Sequence, residues 1–213
     1  MMHDGMCFCE GCMDSADKID EKAVRYDASA HAYYLAGKRL PSVGTILKKA
    51  ATAFNPWAKD EIDDAARARM ERGKSIHAAM DALDAGELDI PAWIAANAEH
   101  NPQRILDRYT AAKEELGILT WDKSEEPRHH KSGAYWGIID RLKVNEGVWD
   151  LKSGSSSPSS YRVQVALYCM IWDERQGGII HLEGDGPVIE RITTQDFSDA
   201  ETALDLAKRT KFR

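Results

Sequence analysis

The chain has 213 residues, 43% hydrophobic and 30% charged, with a net charge of −7. That size and balance fit one globular domain with a sizeable core, and they exclude a protein that coats nucleic acid by bulk positive charge. They leave room for a nucleic-acid enzyme, because clustered acidic metal ligands inflate the acidic count. No apolar run is long enough to cross a bilayer, and the opening residues lack the basic and apolar blocks of a secretion signal, so a cytoplasmic setting is expected.

Residues 1–20 are polar and rich in Asp, and read as an appendage to a domain spanning 21–213. Cys7, Cys9 and Cys12 crowd into it, too close together for an ordinary disulfide framework. Two readings stand: a small zinc or iron–sulphur site completed by His3 or Cys169, or a reduced flexible tail. The tail is the simpler one, since no second ligand pair at finger-like spacing follows.

Tyr33-Tyr34-Leu35, Gly37-Lys38 and Leu40 suggest a short hairpin, after which Ser42 is placed to cap a helix from Val43 to about Ala53. Asn55-Pro56 opens a helical stretch to Arg72 that Gly73 is expected to break, with Ser75 capping a second helix that carries His77 in its first turn. A loop over 88–93 leads to further helix ending near Ala98, and a third long helix follows Pro102 and ends at Gly117. Residues 118–121 and the segment around Ser124-Glu125 read as a strand, and the adjacent His129 and His130 as surface residues.

The run from Gly137 to Lys152 reads as a hairpin turning at Asn145-Glu146-Gly147. A period of two puts Asp150 and Lys152 on one face, and folding the arms sets Asp140 across from roughly residues 150–152. Charge gathered inside an apolar hairpin is costly unless it pairs or holds a metal; the plain alternative is a solvent-facing Lys–Asp pair worth little. After a Ser-rich loop, a helix over 161–172 carries Gln164 and Tyr168 one turn apart on one face. Gly177-Gly178 is expected to end it. A second hairpin over 179–193 turns at Gly184-Asp185-Gly186, and the last helix starts at Ser198, with Glu201 three residues on as in a capping box.

Taken together, Gly73-Lys-Ser-Ile-His77, Glu125, Asp140, Asp150-Leu151-Lys152 and Gln164-Val-Ala-Leu-Tyr168 resemble, in that order, the PD-(D/E)XK nuclease superfamily. The closest likeness is to its RecB-like exonuclease branch, as found in phage and prophage nucleases. Tyr34-Leu-Ala-Gly-Lys38 with Pro41-Ser-Val-Gly-Thr-Ile-Leu47 is also similar to the N-terminal region of phage members, and the match runs from about Tyr33 to Phe197. The resemblance implies an α/β (α+β-like), restriction-endonuclease-like core, a mixed sheet flanked by helices, with a helical N-terminal half. It implies one or two Mg2+ or Mn2+ ions held by His77, Asp140, Asp150 and the backbone carbonyl of Leu151, oxygen-rich ligands that suit hard cations. Lys152 would orient or deprotonate the attacking water or stabilise the transition state, and Glu125 would position a water or a second metal. Gln164 and Tyr168 would contact the phosphate backbone or brace the site.

The activity implied is that of a metal-dependent deoxyribonuclease, an exonuclease of recombination, replication or repair, acting on linear single- or double-stranded DNA. With it come an oligomer, a single-strand-annealing or recombination protein as partner, and the bacterial host cytosol for a phage-encoded chain. The alternative is a nucleic-acid-binding or assembly subunit that keeps the fold without turnover. Some members of the branch hold an iron–sulphur cluster with three cysteines grouped near the C-terminus; this chain has no such group, so no cluster is implied.

Overall fold

The computed structural model describes residues 24–54, 63–154 and 158–209. The proposed appendage, with His3, Cys7, Cys9 and Cys12, lies outside them, as does the Asn55-Pro56 helix opening.

Residues 24–39 form a small antiparallel sheet of β1 Val24–Asp27, β2 Ala32–Leu35 and β3 Lys38–Arg39. Ala36 and Gly37, both at positive φ (48° and 77°), make the two-residue turn between β2 and β3. Ser42 Oγ accepts the Thr45 amide (3.1 Å) and caps α1, Val43–Phe54, as expected.

The expected break at Gly73 does not occur. A single 21-residue helix, α2 Asp64–Asp84, is capped by Asp63 and runs straight through Gly73, so Ser75 caps nothing and His77 lies well inside the helix. Nothing in the packing demands glycine there: a Cβ at Gly73 would stand 3.4 Å from Ser153 Oγ, an ordinary contact. α3, Ile90–Ala96, is short and capped by Asp89, and α4, Pro102–Leu116, ends at Gly117 in the left-handed region. Residues 118–121 are not a strand. Ile118 closes the helix end, its amide bonding to Lys113 O (2.8 Å) while its side chain is buried, the hydrophobic contact of a Schellman ending.

The central sheet holds β4 Lys123–His129, β5 Trp136–Lys143, β6 Gly147–Lys152, β7 Gly177–His181 and β8 Ile189–Arg191, side by side in that order. Only β6 and β7 run parallel, joined by α5, Ser159–Trp172; the other pairs are antiparallel. The α5 helix stops at Asp173, in the left-handed region, and Gly177-Gly178 opens β7 rather than ending the helix. A side chain at Gly177 would collide with the Val148 carbonyl and the Cys169 thiol, so glycine is what lets β7 lie against its neighbours. Cys169 is itself buried and donates to Gln176 O (3.1 Å).

The last helix, α6 Thr194–Arg209, begins four residues before Ser198. Asp196 Oδ2 accepts from the Thr193 amide (2.7 Å) and hydroxyl (2.8 Å), so the side chain that reaches back over the helix start is Asp196, and Ser198 lies inside the helix. His129 and His130 are not plain surface residues either: both are half-buried, one ring against Tyr33 (centroids 5.4 Å apart), the other stacked on Tyr135 (5.1 Å).

One face of the sheet packs on α1, α5 and α6 through Val43, Ile139, Val148, Leu167 and Ala203; the other packs on α2 and α4 through Trp149, Leu151, Met80 and Tyr109. The result is a mixed sheet flanked by helices on both sides, a restriction-endonuclease-like core.

Candidate active site

The site lies where β5 and β6 part. Their ladder runs from Lys143↔Gly147 to Arg141↔Trp149 and stops, and beyond it Pro41 and Ser42 take up the partnership with β5 at Trp136. In the gap, Asp140 Oδ2 accepts the Leu151 amide (2.7 Å), so a carboxylate satisfies a strand amide that the parting leaves without a ladder carbonyl.

The same point carries a second irregularity. Up to Ile139, odd residues of β5 face α5 and even ones face β1–β3; from Arg141 onward the sides are exchanged, with Leu142 in the α5 core and Arg141 on Tyr109 of α4. Asp140 sits at the crossover. Opposite it, between the pairs Ser124↔Arg141 and Glu126↔Ile139, stands Glu125 with φ +48°, a conformation that costs a non-glycine residue free energy and gathers at functional sites. The distortion aims both carboxylates out of the sheet toward α2.

There they meet His77. Its Nδ1 lies 3.6 Å from both Glu125 Oε1 and Asp140 Oδ1, and the three residues offer ligand atoms all within 4.8 Å of one another. His77 Nε2 stands 3.0 Å from Leu151 O; a carbonyl only accepts, so Nε2 carries the hydrogen and Nδ1 is the nitrogen turned to the acids. A backbone carbonyl fixing the far nitrogen of an imidazole is the usual support of a metal-binding histidine. Two carboxylates and one imidazole suit a divalent cation with a preference for oxygen.

Asp150 and Lys152 share the opposite face of β6 from Leu151, as the period of two requires. Asp150 is 2% exposed, and its Oδ2 makes a 2.6 Å ionic contact with Lys152 Nζ without an aligned hydrogen bond. Lys152 continues to Gln164 Oε1 (3.4 Å) and lies over the Tyr161 ring (4.6 Å); Gln164 then donates to the Tyr168 hydroxyl (2.9 Å). A Cβ on Gly137 would stand 2.5 Å from the Tyr168 ring, so glycine there seats that tyrosine against β5.

The cluster shifts its own protons. Burial, then the neighbouring Asp150, raise the Asp140 carboxyl from the ordinary 3.8 to about 7. Burial pulls the His77 pKa down, but Glu125, Asp140 and Asp150 outweigh it and hold the ring above its usual value. Burial likewise opposes charge on Lys152, yet Asp150 and Asp140 prevail, so it stands as an ammonium. Burial raises the Tyr168 hydroxyl far out of the physiological range.

Of the residues singled out in the sequence, His77, Glu125 and Asp140 converge on one point. Asp150 and Lys152 form a pair beside it, not part of that donor triad, and Gln164 and Tyr168 extend the pair. Sequence reasoning missed a buried polar group behind the site. Arg141, fully buried, reaches Tyr109 Oη (3.1 Å), Asp81 Oδ1 (2.9 Å) and the Asp140 carbonyl (2.7 Å). Tyr109 in turn donates to Asp84 and accepts from Trp121 Nε1 (2.7 Å). An arginine in an apolar strand, and Asp81 one helical turn beyond His77, were the available signals.

A mixed sheet bearing acids, an imidazole and an ammonium at the parting of two strands defines a nuclease-type α/β core. The family model for the PD-(D/E)XK nuclease superfamily matches residues 25–204, and the chain belongs to that superfamily. Its membership makes this a nuclease fold whose relatives use divalent metals and act on nucleic acid. Comparison with curated proteins gives no match. Among solved structures, "Crystal structure of SSO0001" is similar at 16% identity and a TM-score of 0.32, over 78% of this chain and 83% of that one. Among the described residues, no helix is long and apolar enough to cross a membrane.

Proposed function

We propose that the chain is a Mg2+- or Mn2+-dependent deoxyribonuclease that digests linear DNA from its ends, an exonuclease of the RecB-like, phage type working in the cytosol in recombination, replication or repair. The observation that carries this reading is the convergence of His77, Glu125 and Asp140 within 4.8 Å, beside the Asp150–Lys152 pair.

In this reading His77 Nδ1, Glu125 and Asp140 hold the cation. Leu151 O orients His77 through Nε2. Once bound, the cation supplies Lewis acidity to the phosphoryl oxygens and acidifies water at the site. Asp150 holds Lys152 in place and charged, and the Lys152 ammonium donates to an oxygen on which negative charge builds in the transition state. Gln164, already bonded to Lys152 and Tyr168, sets the direction of that donation. Tyr168, its proton firmly held, donates rather than serving as a base.

The test uses end-labelled linear DNA and covalently closed circular DNA, each in EDTA, Mg2+ and Mn2+. The expected result is digestion of the linear form only, in either metal, with Lys152→Ala slower by about a hundredfold or more. Cutting in EDTA or full activity in Lys152→Ala would refute the site, equal cutting of the circle would refute the exonuclease, and no cutting of either form would refute the nuclease.

A further inference from the structure

A groove of about 770 Å³ runs between β3, α1 and the start of β5, lined by His31, Lys38, Arg39, Ser42, Lys49 and Trp136 among others. Among the described residues its lining contains two lysines and one arginine but no carboxylate. Four other cavities bordered by described residues each carry at least one acid: Asp84 and Glu114, Asp199, Glu183, and Glu146. On a chain with a net charge of −7, a groove whose described lining is basic and free of acids is a local feature that bulk composition does not supply.

The groove is held rigidly. The two-residue turn at Ala36-Gly37 sets β3, the Leu40 amide bonds to Tyr33 O (2.8 Å), and the Trp136 amide bonds to Pro41 O (3.1 Å). Lys38 and Arg39 are both exposed there. The groove also aligns with the site. Trp136 and Asp140 lie on the same strand, four residues apart, or about 13 Å. At a rise of about 3.4 Å per nucleotide, that is about four nucleotides of a strand.

We propose that this groove binds the phosphodiester backbone of the substrate strand about four nucleotides from the bond cut at Asp140. The inference rests on the nuclease reading for its substrate but not for its test. Lys38 and Arg39, both exposed on the groove lining, supply two phosphate contacts.

The test is anisotropy of a labelled DNA oligonucleotide with the intact protein in EDTA, where binding is read without cutting, across about 50–200 mM salt. Lys38→Gln with Arg39→Gln is expected to weaken binding about tenfold and to flatten the slope of log K against log salt by about 1.4 on single strands or 1.8 on duplex. A matched pair elsewhere, Arg175→Gln with Lys208→Gln, removes the same charge and is expected to leave the slope unchanged. Equal loss in both pairs would reduce the groove to bulk charge and overturn the proposal, as would wild-type binding by the Lys38/Arg39 pair. If wild type binds through the groove yet never cuts, the nuclease reading falls and this one stands; if it cuts and the groove variants bind normally, the reverse holds.

Discussion

Asp140→Asn should make the metal-free protein more stable, although it removes a residue at the centre of the site. The wild-type carboxyl accepts the Leu151 amide and faces His77, and burial with Asp150 nearby lifts its pKa from 3.8 to about 7. The folded state therefore keeps a proton that the unfolded chain has already released, and stability falls as pH rises from about 4 through 7. A gap of about three pH units is worth about 4 kcal/mol once both states are ionised. His77 acts in the same direction, since its raised pKa gives stability at low pH that is lost as pH climbs through the folded value. Asn keeps an oxygen for Leu151 and carries no charge. In EDTA at pH 8 the variant should exceed wild type by about 2–4 kcal/mol, roughly 5–15 °C in Tm for a chain of this size, with the gap narrowing toward pH 5. Added Mn2+ should raise wild type and leave the variant nearly unmoved, because a bound cation replaces the proton. Calorimetric melts at both pH values, with EDTA and with Mn2+, read all four numbers. A variant less stable than wild type in EDTA at pH 8, or a gap that widens toward pH 5, would refute the reasoning.

Three further outcomes follow from the packing. Gly137→Ala drives a methyl to 2.5–2.8 Å from the Tyr168 ring and 3.1 Å from Val43 Cγ2, so it should cost about 1–3 kcal/mol in denaturant melts and lower cleavage as Tyr168 moves; wild-type stability would mean the ring is not where described. Gly73→Ala adds a methyl in ordinary contact with Ser153 Oγ at 3.4 Å and removes a glycine from a helix interior, so stability should rise by about 0.5–1 kcal/mol, and a fall would mark the α2–β6 contact as tighter than it looks. Glu125→Gly releases a residue held at φ +48°, which should gain about 1 kcal/mol in melts while weakening Mn2+ binding by titration calorimetry; a loss of stability would show that the strand is not strained there.

Local signals carried much of the fold. The Ser42 cap, the helix from Pro102 to Gly117, the β5–β6 hairpin and the one-turn spacing of Gln164 and Tyr168 all arise from short-range chemistry, and all appear where expected. The misreadings share one cause. A glycine has the same local meaning whether it ends an element, admits a neighbour or rides inside a helix; Gly177 does the second and Gly73 the third. The apolar Ile118 likewise looks like the start of a strand, whereas its partner is the helix just finished. The role of Glu125 depended on a backbone conformation that only pairing with β5 imposes, so no window of sequence around it displays that role.

Arg141 explains why the site stands at the crossover. A regular strand would send Arg141 to the same side as Ile139, into the apolar layer against α5, where a guanidinium has no partner. Exchanging sides at Asp140 delivers Arg141 to Asp81, Asp84 and Tyr109 instead. Burying that cation is tolerable only with such partners, and removing one of them would cost about 3–5 kcal/mol. The partners sit on α2 and α4, and Asp81 is one turn beyond His77, so the pairing that accommodates Arg141 also draws α2 against β5. The same twist that rescues the arginine turns Asp140 toward His77. The strand distortion, the buried cation and the metal-sized gap are therefore one structural event: straightening β5 would strand Arg141 in the core and pull Asp140 away from the imidazole together.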